Sequence, residues 1–351
     1  KSEQTNLGLD FGFLRNRISG SIEYYSTTTH DMIMNQQLVA FAGFNTMTTN
    51  LGEVSNKGIE LSITSMNIQN DNFEWSTTFN FSYNKNEIVH LYYEYEDVLD
   101  KDGNVIGRKE KDDSGNNWFI GQPISTIWAH RVTGIWQENE IDEAAKYGQR
   151  PGDPKIYKNP DNPLQTAANG LIAYDNGDRE FLGQTTPPVN WSLRNDFTLF
   201  KNWTLSINMY SRMGHKSTSG LFMNDDNNSN AVTQHANHFK KEYWTPENPS
   251  NRYARIQASN GGNGGSPSLL FDRSFIRLEN ISLGYDVPKK IISKINVERL
   301  RIFGSVRNVA VWCKDWPYGD PETYNAGGDT NNPYSGGLAT RVYSLGLNVT
   351  F

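Results

Sequence analysis

From Phe73 to Tyr83 the chain changes character at almost every residue. Phe73, Trp75, Thr77, Phe79, Phe81 and Tyr83 fall on one side of an extended strand, and Glu74, Ser76, Thr78, Asn80 and Ser82 on the other. The pattern returns in 189–199, where Val189, Trp191, Leu193, Phe197 and Leu199 oppose Asn190, Ser192, Arg194, Asp196 and Thr198. It returns again with Trp203, Leu205, Ile207 and Met209, with Leu7, Leu9, Phe11 and Phe13, and with Ile18, Ile22 and Tyr24. A helix has period 3.6 and cannot sort residues this way. Further strands are expected at about 55–65, 272–286, 299–309 and 338–351, nine in all, with a bulge where the alternation slips at Glu279–Asn280.

The chain closes on Tyr343, Leu345, Leu347, Val349 and Phe351, which share one side, opposite Ser344, Gly346, Asn348 and Thr350. Eight steps span roughly 26 Å, or about 20 Å once tilted, close to the apolar band of a transmembrane β-barrel. A half-buried strand ending a soluble sandwich has the same pattern. The connections separate the two readings. Those at 14–17, 66–72, 200–202 and 287–298 are short, those at 26–54, 85–187, 213–271 and 310–337 are long, and the two kinds alternate along the chain. Barrels of the outer membrane have short turns at one rim and long loops at the other, whereas a sandwich has no reason to sort its loops. The expected fold is therefore all-β, a transmembrane antiparallel barrel. Nine strands leave an open edge, so either the rest of the barrel precedes Lys1 in a longer chain or the barrel reading is wrong.

Composition agrees. Mean hydropathy is −0.66 and no apolar run approaches the 18 residues a spanning helix needs, while a barrel strand needs only alternate apolar residues. Thirty glycines and 12% aromatics suit turns and strands. A net charge of −6 without a basic stripe argues against nucleic acid as a partner. The single cysteine, Cys313, forms no internal disulfide. Within 85–187 a subdomain is expected, since so long a structureless loop would be unusual, and the run 124–136 is assigned to it rather than to the membrane. Residues 231–244 read as a short helix and 261–265 as a flexible link.

No nucleophile elbow, phosphate loop, H-E-x-x-H or C-x-x-C is present, so no enzyme is expected. His235, His238 and Glu242 have helical spacing that could hold a metal, but a solvated helix face is the simpler reading. The acidic run Glu138, Glu140, Asp142 and Glu143 likewise reads as solvated surface rather than a catalytic pair. Trp312, Trp316, Tyr318 and Tyr324, beside Asp315, Asp320 and Glu322, suit sugar stacking, a protein interface or packing of the loop on itself. Trp118, Trp128 and Trp136 carry the same three readings. Trp75, Trp191 and Trp203 read as lipid-facing girdle residues. Glu74, Asn80, Arg194, Asp196 and Asn208 would line a wet lumen.

Several stretches resemble the SusC/RagA family of TonB-dependent outer-membrane transporters: L-G-L-D-F-G-F-L-R-N-R-I-S-G-S-I-E-Y-Y (7–25), T-H-D-M-I (29–33), N-L-G-E-V-S-N-K-G-I-E-L (50–61) and F-N-F-S-Y-N-K-N-E-I (79–88). D-R-E-F-L-G (178–183), F-I-R-L-E-N-I-S-L-G-Y (275–285), Arg307–Asn308, D-P-E (320–322) and the terminal Y-S-L-G-L-N-V-T-F follow in family order. The resemblance implies a 22-stranded barrel of which this chain is the C-terminal part, with the plug, TonB box and signal peptide upstream. It implies a multi-pass protein of the Gram-negative outer membrane, in contact with its lipids, importing oligosaccharides or oligopeptides. The implied partners are the TonB–ExbB–ExbD energy system and a SusD-like surface lipoprotein, in a dimer of SusCD pairs. Tyr343, Leu345, Leu347, Val349 and Phe351 would serve as its barrel-assembly signal. The family often carries an Asp- and Asn-rich run after P-G-D. Here P-G-D (151–153) precedes K-N-P-D-N-P-L-Q-T-A-A-N-G, which leaves Asp161, Asp175 and Asp178 as the only contributors to a calcium site wanting six to eight oxygens. No cofactor is expected. The runner-up is a secreted all-β glycan-binding or glycan-cleaving protein, and a passive porin-like channel is a third reading.

Overall fold

The computed structural model describes residues 1–37, 46–100, 102–219, 242–256, 262–293, 297–316, 320–322 and 339–351. Nine antiparallel strands form one sheet in strict chain order. They are β1 (Ser2–Phe13), β2 (Ile18–Gln37), β3 (Thr46–Gln69), β4 (Phe73–His90), β5 (Val189–Leu199), β6 (Trp203–Met213), β7 (Phe275–Asp286), β8 (Arg299–Cys313) and β9 (Val342–Thr350).

Register joins the alternation of each strand into two faces. One apolar row runs Leu9–Ile22–Leu61–Phe81–Trp191 from β1 to β5. Another runs Phe79–Leu193–Met209–Leu278, and a third Leu205–Leu283–Gly304–Leu345. The opposite face carries Asp10–Ser21–Ser62–Asn80–Ser192–Tyr210–Arg277. A slip of one residue would turn every apolar side chain inward, so this continuity ties the register to the two-faced pattern. On interior strands Ile22 and Leu283 of this face are still 42% and 45% exposed, an exposure that an apolar surrounding makes favourable for a whole face.

Two polar residues interrupt the apolar face near the short turns and satisfy each other. Asn195 Oδ1 accepts from Thr77 Oγ1 (2.7 Å) and Trp75 Nε1 (3.0 Å), and Thr77 accepts from Asn67 Nδ2 (2.7 Å). Asn67 is the extra residue where the register shifts between Met66 and Ile68. The bulge expected at Glu279–Asn280 is present, with shifts between Leu278 and Asn280 and between Asn208 and Met209.

The strands differ from the sequence reading mainly in length. The expected 26–54 loop is largely a continuation of the β2–β3 hairpin, whose paired residues reach Gln37 and Thr46. Its alternation was hidden by Thr27, Thr28 and Thr29 and by bulges at Thr29/Met32 and Met32/Met34. At its far end this hairpin packs Met34 and Val54 on Ile88 and Leu91, all 5% exposed or less.

The subdomain expected in 85–187 is shared with the next long connection. Thr126–Ile135 pairs with Pro154–Ile156 and Arg179–Gln184, and also in parallel with Pro267–Asp272, which in turn pairs with Lys216–Ser219. Residues 124–136 thus lie in a separate sheet and do not cross with the nine. Ile135, Trp244 and Ala254 form its core. A parallel pairing between distant segments leaves no local sequence signal. Most of the helix read at 231–244 lies outside the described residues, as do His235, His238 and Gly261. The acidic run 138–143 forms a short 3-10 turn and the helix Ile141–Lys146, with Glu140 paired to Lys155 and Glu143 to Lys146.

Candidate functional site on the polar face

The most heavily bonded polar cluster sits where β7 meets the last long connection. Arg277, whose side chain is 4% exposed, donates through Nη2 to both oxygens of Asp320 (2.7 Å each) and through Nε to Glu322 (2.8 Å). Its Nη1 reaches Asn308 Oδ1, and the Tyr210 hydroxyl donates to Glu322. Arg273 donates to the Pro321 carbonyl, and Arg212 Nη1 lies 3.5 Å from Glu322 Oε1. Charge-assisted bonds from one guanidinium to two carboxylates are directional as well as charged. D-P-E is therefore a latch that holds residues 320–322 against the wall. Sequence reading placed Asp320 in the loop but lacked its partner, which lies 43 residues away.

Tyr210 and Arg212 also line a concavity of about 550 Å³ on the polar face, with Ser21, Glu23, Glu60, Ser62, Asn80, Ser82, Asn190 and Ser192. Ser62 Oγ donates to Asn80 Oδ1 (2.9 Å), and Asn80 Nδ2 donates to Ser192 Oγ (3.2 Å). Glu74, Arg194, Asp196 and Asn208 occupy the same face, Arg194 forming a two-pronged bond to Asp196 (2.8 and 2.9 Å).

In the long connection after β4, Asp178 is fully buried and receives Lys158 Nζ (2.7 Å) and the Asn159 and Asp175 amides. Burial opposes its charge, but these donors outweigh that and hold its carboxyl below the usual range. Asp175 Oδ1 accepts from Asn162 Nδ2 (2.7 Å) and the Gly177 amide (2.8 Å). This donor set does not suit a calcium ion: the Lys158 ammonium stands against Asp178, and both Asp178 oxygens and Asp175 Oδ1 are already bonded. Asp161 sits on the neighbouring 159–162 turn. Among the described residues no group of three His, Cys, Asp or Glu could hold a metal. Lys158→Met should cost about 3–5 kcal/mol of loop stability by stranding Asp178. Chelator should leave the wild-type loop unchanged, and limited proteolysis reads both.

Two buried histidines sit in the long connections, and His130 ties two of these connections together. His130, 1% exposed, bonds the Asp175 carbonyl through Nε2 (3.0 Å) and accepts the Ser266 amide on Nδ1 (3.3 Å), an arrangement only the neutral ring can make. Burial lowers its pKa, with Arg179 adding to the effect and Asp175 and Asp178 opposing it. Burial, with Arg273 beside it, pushes His215 down to about 4. Both folded values lie below the unfolded one, so the loops keep full stability above pH 6.5 and lose it as pH falls below that. For His215 the fall from 6.5 to about 4 is worth on the order of 3 kcal/mol. The hydrogen-exchange protection of residues 266–273, taken relative to the intrinsic exchange rate at each pH, should fall between pH 6.5 and 4.5, and His215→Gln should flatten that dependence.

Trp316 is buried, edge-on to Phe271 (5.9 Å) and beneath Arg273 (5.2 Å). Trp312 is 54% exposed and paired with Ile276 on the apolar face. The structure thus separates Trp312 from Asp320, while Tyr318 and Tyr324 lie outside the described residues. Trp118, Trp128 and Trp136 take part in loop packing, Trp128 against Phe119 and under Arg179, and Trp136 beside Tyr147. Trp75, Trp191 and Trp203 project from the apolar face, as do Tyr343, Leu345, Leu347 and Val349.

Residues 1–309 match the family described as TonB dependent receptor-like, beta-barrel. The chain belongs to that family. As a TonB-dependent receptor barrel it is 28% identical over 376 residues to a TonB-dependent receptor of Formosa agariphila, covering all of this chain and 34% of that protein. It is 27% identical over 371 residues to the TonB-dependent receptor SusC of Bacteroides thetaiotaomicron, covering all of this chain and 32% of SusC. The fold matches a chain of the RagAB peptide transporter with TM-score 0.71 at 22% identity, covering all of this chain and 35% of that one. The SusC/RagA resemblance thus holds along the whole chain, which spans about a third of the length of these relatives.

Proposed function

We propose that this chain forms the C-terminal wall of an outer-membrane importer that draws oligosaccharides or oligopeptides inward with energy delivered through TonB. The observation that carries this reading is the two-faced nine-stranded sheet, whose connections after β4, β6 and β8 are long while those after β1, β3 and β5 are three or four residues, in a chain of this receptor family. Its apolar face would meet acyl chains, its polar face would enclose the passage, and the long connections would lie outside. A SusD-like lipoprotein would cap that mouth, as the similarity to SusC and the RagAB chain suggests. The plug would lie upstream. No covalent chemistry on the cargo is required.

Trp316 and Asp320 would then hold the last loop in place, leaving cargo contact to the lumen wall and the loop surfaces. The full-length receptor should fractionate with detergent-extracted outer membrane and migrate differently when heated before electrophoresis. Cells lacking TonB should lose uptake of its cargo. Recovery from the aqueous fraction without detergent would return the secreted sugar-binding reading, and TonB-independent uptake would favour a passive channel.

A further inference from the structure

The concavity on the polar face is crossed by one register row with opposite charges at its ends. Glu23 pairs with Glu60, Glu60 with Ser82, Ser82 with Asn190 and Asn190 with Arg212. We infer that this row binds the two charged ends of a short, extended peptide, the ammonium at Glu23 and Glu60 and the carboxylate at Arg212. This rests on the import reading and narrows its cargo.

Height is the first argument. In β3, β4, β5 and β6 the row lies nine positions from the short-turn ends Gln69, Phe73, Leu199 and Trp203. Nine steps are roughly 30 Å along a strand and about 23 Å once tilted, near the top of an apolar band about 25 Å tall. In β5 and β6 it is one residue from Val189 and Met213, where the long connections begin. The row therefore lies at the mouth of the passage, where incoming cargo first meets the wall.

Charge is the second. Glu23 and Glu60 face each other directly, a like-charge pairing that costs the sheet stability. Glu23 accepts only from Asn6 Nδ2 (3.2 Å), and Glu60 has no hydrogen bond or ion pair among the described residues. Arg212 is half exposed and only 3.5 Å from one oxygen of Glu322, itself held by Arg277. An ammonium would relieve the first pair and a carboxylate would satisfy the second site. Between the ends, Ser82 and Asn190 offer hydrogen bonds to a peptide backbone.

Size and shape are the third. Three to four strand spacings separate the charged ends, roughly 14–19 Å, which about four or five extended residues span. Phe81 and Trp191 belong to the apolar face, and Tyr210 is the only ring on the polar side of the concavity, its hydroxyl committed to Glu322. A neutral sugar would find a single ring, Tyr210, on this side.

The test is calorimetric titration of the full-length receptor with its lipoprotein, at low salt, using tetraalanine, its N-acetyl form, its C-terminal amide and maltotetraose. Free tetraalanine should bind, and each cap should weaken it about tenfold. In the E23Q/E60Q double variant the free and acetylated peptides should bind alike. In R212Q the free acid and amide should bind alike. Heat-shifted migration equal to wild type would show that both variants fold. Failure of tetraalanine to bind, indifference to the caps, unchanged cap sensitivity in the variants, or tighter binding of maltotetraose overturns the inference. TonB-dependent uptake of maltotetraose with no binding of tetraalanine would remove the peptide row and leave import standing. Tetraalanine binding with TonB-independent uptake would do the reverse.

Discussion

Arg277→Met should free residues 320–322 from the wall and speed their amide exchange toward that of an open loop. The change leaves the Asp320 and Glu322 carboxylates, 9% and 19% exposed, without the guanidinium that bonds both. Removing one member of a buried pair costs about 3–5 kcal/mol, because the remaining charges keep their desolvation penalty. Docking would then shift by at least a hundredfold, since each 1.4 kcal/mol is about a factor of ten. Arg277→Lys should fall between, keeping the charge but losing the fork that reaches Asp320, Glu322 and Asn308 together. Hydrogen exchange measured by mass spectrometry reads the outcome directly. Wild-type protection in Arg277→Met would mean that the latch does not hold the loop.

Leu193→Arg should destabilise the barrel strongly while Ser192→Arg should not. The two residues are adjacent on β5 but on opposite faces, Leu193 between Phe79 and Met209 and Ser192 between Asn80 and Tyr210. Leu193 lies six positions from the short-turn end, which is roughly 15 Å up once tilted and so near mid-band. A charge there costs about 2–4 kcal/mol where the face meets lipid, and little where it meets water. Urea unfolding in lipid vesicles measures both. Equal effects would mean that the apolar face does not lie in a membrane, and the import proposal would fall with it.

How much was legible before folding follows from the range of each interaction. The period-2 pattern of 73–83, 189–199 and 203–209 is strictly local, and it located strands whose observed bounds begin within a residue of those read. Where bulges or runs of threonine blurred it, as at Thr27–Met34, the strand was mistaken for loop. Polar-face residues such as Asn80 and Asn208 could be read from parity alone. The latch could not, because neither Arg277 nor Asp320 carries a local mark of the other.

The amino-acid order by itself determined a sheet of nine hairpin-joined strands, its two faces, and the sorting of its connections, since alternation and turn length act between near neighbours. Tertiary structure alone decided that two long connections share one sheet through Thr126–Ile135 and Pro267–Asp272, that Lys158 takes the place of a cation at Asp178, and that Glu23, Glu60 and Arg212 fall on one row. The physical reason is that pairing partners far apart in the chain are chosen by register and burial, which have no signature in any single segment.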